Sequence, residues 1–464
     1  MSIAEIITSG GDERILYKEN GRNKYFVDPA IHEGVFMRGS CTCSALNPES
    51  HAMLEGLIER YEPNQHAGLV EAQSNRLKKL INYKGKDKFE VFFAPSGSDL
   101  CYYPLMFARI LNPEKDILNF VTCPEELGQG SIFAFRGLFF AEQNQFGESI
   151  EKETPVDPRL DVEFKSFPAR DKEGLIFNHK SEMQEAIESV QTDRTIMGHL
   201  VIGSKSGIVD NVDIIPKVKR DMLWVVDICQ FRVSKKLIND LLDQGCMVMI
   251  TGSKFYQSPP FCGALLVPKS LTQKIDERVK EETVAPFAKV FSQYDIPVLA
   301  KNLRSSFRKF ENLGLLSRWE TAIFEMEQIS KNSVHSVLKV IGLWHSCVTE
   351  ALEAEERFEL MPDTDRTNKT IISFRVKNGG DGSYLNHEEL QHLYEYISEK
   401  EVDFLSGFNR IIIGQPVRYG DESFIRVALG SFNIRKLIRN EKDLENDVLL
   451  IKYIAETAQK LYPR

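Results

Sequence analysis

The chain has 464 residues, with 58 Lys and Arg against 67 Asp and Glu, for a net charge of -9. Hydrophobic residues make up 42% and charged residues 27%, an ordinary globular balance that argues against a disordered chain. No basic block points to nucleic acid, and no apolar run approaches the roughly 18 residues of a membrane span. The start, MSIAEIITSGGDERILYKENGRNKYF, lacks a basic segment followed by an apolar core and does not read as a secretory signal. Eight scattered cysteines read as reduced thiols of a cytoplasmic protein. The pair Cys41 and Cys43 has no His or Cys partners at zinc spacing, so no metal site is expected.

Residues 1–45 are mixed and polar and read as an N-terminal arm. From 46 to 315, short β-rich runs alternate with helical or loop stretches: 89–94, 116–123, 162–167, 196–203, 222–228, 247–251 and 263–267. Several, such as LWVVDI and MVMI, are apolar on both faces, as strands of a covered sheet must be. A helical pattern at 235–244 precedes Gly245. The alternation predicts an α/β fold with a mostly parallel sheet flanked by helices. Leu315, Leu316, Trp319, Ile323 and Met326, then Val334, Val337, Ile341 and Trp344, fall at helical spacing and read as a connecting helix. Beyond about 350, strands at 371–376, 410–413 and 424–429 with helices at 387–399 and 442–461 make a smaller α+β domain, so that 316–464 holds the connecting helix and that domain.

Ligands of open α/β sheets bind at the carboxyl ends of strands, which directs attention to the polar residues there. Ser96, Gly97 and Ser98 follow FEVFFA and precede a helical pattern; they suit either a phosphate or a simple N-cap. Asp227 ends LWVVD, and a carboxylate there needs a partner: a cation, a metal, a protonated ring nitrogen, or the cap of the next helix. Gln230 stands three residues later and can face the same cavity. Lys254, in Thr251-Gly252-Ser253-Lys254, follows MVMI; a desolvated amine there can form an imine with an aldehyde. Lys205 also follows a strand and is its rival. Arg418 and Arg426 lie in the C-terminal domain, and Arg426 interrupts an apolar strand. Its guanidinium suits a carboxylate bidentately, or an internal salt bridge.

Together these segments resemble the fold-type I pyridoxal 5'-phosphate (PLP) enzymes, and most closely the class V aminotransferase group that includes cysteine desulfurases and kynureninases. The resemblance covers roughly residues 85–435; TGSKFYQSPPFCGALLVP is similar to the family's lysine segment and SFIRVALGSFNI to its arginine segment. It implies that Ser96, Gly97 and Ser98 hold the cofactor phosphate, Asp227 pairs with the ring nitrogen, Gln230 meets the ring hydroxyl, and Lys254 forms the Schiff base. Ser253 and Ser204 are expected near the cofactor, and Arg426 and Arg418 at the substrate. The ring-stacking residue is expected within Thr122-Cys123-Pro124-Glu125-Glu126, which offers Glu125 or Glu126. A homodimer is implied, with Arg304-Ser305-Ser306 where a second subunit makes contact.

Ser253 stands where many desulfurases and kynureninases carry His, and residues 405–425 hold no Cys nucleophile, so desulfurase activity is not expected. The Asp227-x-x-Gln230 spacing looks more like the desulfurase and lyase branch. The expected activity is aminotransferase-like chemistry on an α-amino acid. The alternatives are a PLP-dependent lyase or β/γ-replacement enzyme and, from another class, a non-catalytic binding or scaffold homologue. No G-x-G-x-x-G or G-x-x-x-x-G-K-[ST] run exists to support a nucleotide enzyme.

Overall fold

The computed structural model describes residues 1–17, 21–39, 44–85, 87–177, 179–191, 193–362, 367–380 and 382–463. Its strands are β1 (Val35–Arg38), β2 (Phe89–Ala94), β3 (Ile117–Thr122), β4 (Val162–Phe167), β5 (Thr195–Val201), β6 (Leu223–Asp227), β7 (Met247–Thr251), β8 (Gly263–Pro268), β9 (Phe358–Leu360), β10 (Ile371–Val376), β11 (Arg410–Tyr419) and β12 (Glu422–Ala428). Seven of them form one sheet in the order β2-β8-β7-β6-β5-β3-β4. Its pairings are parallel except those of β8, which runs antiparallel to β2 and β7. β8 reverses because residues 252–262 return the chain from β7 as a loop, with no crossover helix to bring it round. Strands β2, β3, β5, β7 and β8 are buried along their whole length, because helices cover both faces; the edge strand β4 carries Glu163 and Lys165 outward.

The stretch expected to be one connecting helix is two helices, Leu313–Ile329 and Val334–Glu353. The second starts where the Ser333 side chain accepts from the Ser336 N–H and caps it. Trp319 of the first is fully buried and donates its indole N–H to the Gly263 carbonyl at 3.1 Å, locking this helix to the start of β8.

The second sheet has the order β1-β11-β12-β10-β9. Its core gathers Trp344, Phe374, Leu390, Tyr394, Ile411, Ile425 and Ile451. Residues of the arm expected at 1–45 are bound into the rest of the fold. Its residues 35–38 pair in parallel with 410–413, and Arg38 grips the buried Asp447 carboxylate through two bonds of 2.5 and 2.7 Å. A short helix, Ile3–Ile7, also packs against Leu313–Ile329. Cys101, Cys123, Cys229, Cys246, Cys262 and Cys347 are free thiols, while Cys41 and Cys43 lie outside the described residues. Among the described residues no helix is long and apolar enough to cross a membrane.

Candidate active site

Adjacent parallel strands must end side by side, so β6 and β7 bring the Asp227 and Thr251 ends together; β8 carries the contact on to β2. Cys229 sits at the centre of these ends. Its N–H donates to Asp227 Oδ1 at 2.7 Å, and its carbonyl accepts the Thr251 hydroxyl at 2.7 Å. A Cβ on Gly97 would lie 3.2 Å from Thr251 Cγ2 and 3.4 Å from Cys229 Sγ, so the loop after β2 presses its backbone onto the same spot. Burial and the charge of Asp227 push the Cys229 thiol pKa far up, while Lys254 pulls it down, so all three groups share one environment.

Asp227 is 8% exposed, and its second carboxylate oxygen accepts no hydrogen bond among the described residues. Neither Asp227 nor Lys254 makes an ion pair, with the other or with any third described group. The open carboxylate oxygen suits a cationic ligand. Gln230 is buried beside Gly203 and accepts from Arg232 Nε at 3.3 Å, which leaves its amide N–H free to donate. Ser253 is buried next to Lys254, and its carbonyl accepts the Ser44 hydroxyl at 3.2 Å.

In the loop after β2, Ser96 Oγ accepts from the N–H groups of Ser98 and Asp99, each at 3.2 Å, and donates to Asp99 at 2.6 Å. Ser96 therefore holds the loop in shape. Ser98 Oγ lies 3.2 Å from Ser131 Oγ, in the run Gly128-Gln129-Gly130-Ser131. A Cβ on Gly130 would stand 3.1 Å from Ser98 Oγ. Two hydroxyls and a bare backbone converge here, a donor set suited to an anion. Ser131 was not singled out from the sequence, although small residues at a helix start were the available signal. From the arm, Arg14 reaches Ser96 Oγ at 3.5 Å, pairs with Asp12 and covers the Phe140 and Phe261 rings.

Glu126 does not stack in the cavity. It is 2% exposed and ion-paired with Arg170 at 3.2 Å. Its carboxylate accepts from the Ser206 N–H at 2.9 Å and from the Ser204 and Ser206 hydroxyls. Burial opposes the charge, but Arg170 and these donors win and hold its pKa below the ordinary value. Ser204, expected near the cofactor, is likewise spent: its hydroxyl donates to Glu126 and accepts from the Ile208 N–H at 3.0 Å. Glu125 caps the Ala169 N–H. The rival Lys205 directs its amine to the Glu125 carbonyl at 3.3 Å.

Arg426 is 2% exposed. Its Nη1 donates to the Lys205 carbonyl at 2.6 Å, its buried Nε has no partner, and no carboxylate pairs with it among the described residues. Gly414 opposite leaves room for this side chain; a Cβ there would stand 2.5 Å from Arg426 Cγ. Arg418 does not join it. Tyr419 pairs with Glu422 and Arg418 with Ser423, an odd number of residues from Arg426, so Arg418 points out of the other face and is exposed. The two-residue turn Gly420-Asp421 was the sequence signal for that parity. Arg304 lies against the Tyr294 ring, apart from these groups.

The segments around Lys254 and Arg426 also touch directly: the Ser431 N–H donates to the Phe255 carbonyl at 2.8 Å, and Arg232 Nη1 to the Leu429 carbonyl at 2.7 Å. The fold is shared with solved aminotransferases. Alanine–glyoxylate aminotransferase from Nostoc sp. superposes with a TM-score of 0.56 at 14% identity, over 91% of this chain and 95% of its own. Phosphoserine aminotransferase from Cytophaga hutchinsonii gives 0.51 at 16% identity, over 89% and 98%. TDC from Oryza sativa, solved with PLP, gives 0.54 at 13% identity, over 92% and 83%. No protein-family model matches the sequence, and no curated protein matches it. This is the fold that the resemblance of the lysine and arginine segments implied.

Proposed function

We propose that this chain is a PLP enzyme that transfers the amino group of an α-amino acid. One observation carries the reading. Among the described residues neither the Asp227 carboxylate nor the Lys254 amine has a partner of opposite charge, although the charges of both reach the Cys229 thiol. Each is therefore open to the cofactor, the carboxylate to a protonated ring nitrogen and the amine to an aldehyde.

When bound, the cofactor supplies an aldehyde that traps amines and a protonated ring that draws electrons from the substrate's Cα. Asp227 keeps the ring nitrogen protonated through its charge. The free amide N–H of Gln230 donates to the ring hydroxyl. Ser98, the backbone at Gly97 and Ser131 bind the phosphate, with Ser96 bracing their loop and Ser253 beside the amine. Lys254 serves as base and acid for the Cα proton, taking it at Nζ and returning it. Arg426 would hold the substrate carboxylate and so orient the amino acid toward the cofactor. A lyase or replacement reaction would begin with the same contacts; Ser253 and the lack of a Cys in residues 405–425 favour transfer. A purely binding homologue has no use for the unpaired amine of Lys254. We take the protein to work in the cytoplasm, as a homodimer, by its resemblance to the family.

Borohydride reduction of the cofactor-loaded protein, followed by peptide mapping, tests the reading. The pyridoxyl label is expected on Lys254 and absent from Lys254→Ala. Label on Lys205, or on no lysine, overturns it. An amino acid alone should convert the bound cofactor to its amine form; release of ammonia and a keto acid would instead establish a lyase.

A further inference from the structure

Arg426 stands in the second sheet, yet the one acceptor that orients its guanidinium among the described residues is the Lys205 carbonyl, in the loop after β5 of the first sheet. The direction of that carbonyl decides where Arg426 points. Lys205 belongs to a tight turn: the N–H groups of Gly203 and Ser204 bond the Ile208 carbonyl at 2.7 and 3.2 Å, and the Gly207 N–H bonds the Ser204 carbonyl at 2.9 Å. Gly203 and Gly207 take φ of 75° and 90°, backbone that other residues adopt only under strain.

The interior of this turn is filled by the Glu126 carboxylate. It accepts from both serine hydroxyls and from the Ser206 N–H, while the Lys205 N–H bonds the Glu126 carbonyl at 3.3 Å. Arg170 closes the cluster, with Nε on Glu126 at 3.2 Å and Nη2 on Ser206 Oγ at 3.0 Å. The members of the cluster come from three separate segments, and every donor finds an oxygen. A fully satisfied buried network of this kind fixes geometry; replacing one acceptor oxygen by an amide leaves donors facing donors.

We infer that Glu126 is a positioning residue for substrate-carboxylate recognition: it shapes the Ser204–Gly207 turn so that the Lys205 carbonyl aims the Arg426 guanidinium. This rests on Arg426 as the carboxylate receptor of the proposed reaction. It gives Glu126 a task remote from the cofactor ring.

The test uses the cofactor-loaded full chain, titrated with the standard L-amino acids and followed by the visible absorbance of the cofactor. For those that bind wild type, Arg426→Ala weakens binding strongly. Glu126→Gln weakens it about tenfold, a loss of about 1.4 kcal/mol, and the milder Ser206→Ala about threefold. Cofactor affinity stays within about twofold in both, and amide hydrogen exchange quickens at residues 203–208. If Arg426→Ala weakens binding while Glu126→Gln and Ser206→Ala bind as tightly as wild type, the inference falls and the reading stands. Loss of cofactor affinity together with amino-acid affinity also overturns it, since that marks a general structural role. If no amino acid perturbs the loaded wild type, or Arg426→Ala binds them equally, the proposed reaction itself is wrong.

Discussion

Three charged groups crowd the loop that precedes the Tyr102–Leu111 helix, and only one is a cation. Asp12 takes the Arg14 guanidinium in two short bonds, so its pKa stays low despite burial. Asp99 is left with the Ser96 hydroxyl. Burial, and then the charge of Asp12, push it up to about 7 against the pull of Ser96 and Arg14. The sign of the consequence follows from proton binding. Between about pH 4 and 7 the folded protein retains a proton on Asp99 that the unfolded chain has released. Stability therefore falls as pH rises through this window, by on the order of 1 kcal/mol per pH unit. Asp99→Asn should remove that slope. Thermal melts of the cofactor-free protein should show the variant gaining on wild type at pH 8 and not at pH 4; parallel pH profiles would refute this. Asp227, Lys254 and the Ser96–Ser98 loop were legible as polar residues ending apolar strands, because the alternation fixes where strands end. The fate of Glu126 was not. Its partners Arg170, Ser204 and Ser206 come from distant loops, and no local pattern announces that their side chains meet.

Strand β11 shows how an element can set a site without supplying a functional side chain. Its register shifts between Gly414 and Val417, opposite Arg426 and Phe424 of β12. At Gly414 an added Cβ would meet Arg426 Cγ at 2.5 Å, Nε at 2.9 Å and the Arg426 carbonyl at 2.9 Å. The side chain can swing away; the carbonyl cannot. Gly414→Ala should thus displace the guanidinium and cost about 1–3 kcal/mol of stability through overpacking. It should raise KM for the amino acid while leaving cofactor affinity near that of wild type. Equal losses in both would show that the site responds as a whole. The long apolar strands were readable from composition alone. β1 was not: four residues in a polar segment carry little signal, and what makes them a strand is a partner far along the chain.

At the scale of the molecule, one buried guanidinium ties the N-terminal residues to the lysine segment. Arg318 is 0% exposed and pairs with no carboxylate among the described residues; it donates to the carbonyls of Ile7, Ser9 and Gly10 in the arm and to Phe261 in the lysine segment. Burial lowers its pKa to about 10. Removing residues 1–10 would leave this charge with the Phe261 carbonyl alone, a change expected to cost about 3–5 kcal/mol. Adding Arg318→Met to the truncated chain should restore part of the loss, as read by urea unfolding. A truncated chain as stable as the full one would refute the clamp.

The same arm has a consequence for how the protein is made. β1 pairs with residues 410–413, and the Ile3–Ile7 helix rests on Leu313–Ile329. Both partners leave the ribosome late. At roughly 5–20 residues per second, the first segment waits on the order of half a minute for about three hundred further residues before it has anywhere to dock. The seven-stranded sheet, complete by Pro268, has its strands in hand well before then. The beginning of the chain is thus among the last parts to fasten, and a nascent polypeptide stalled before its C-terminal third keeps a loose, protease-sensitive front end.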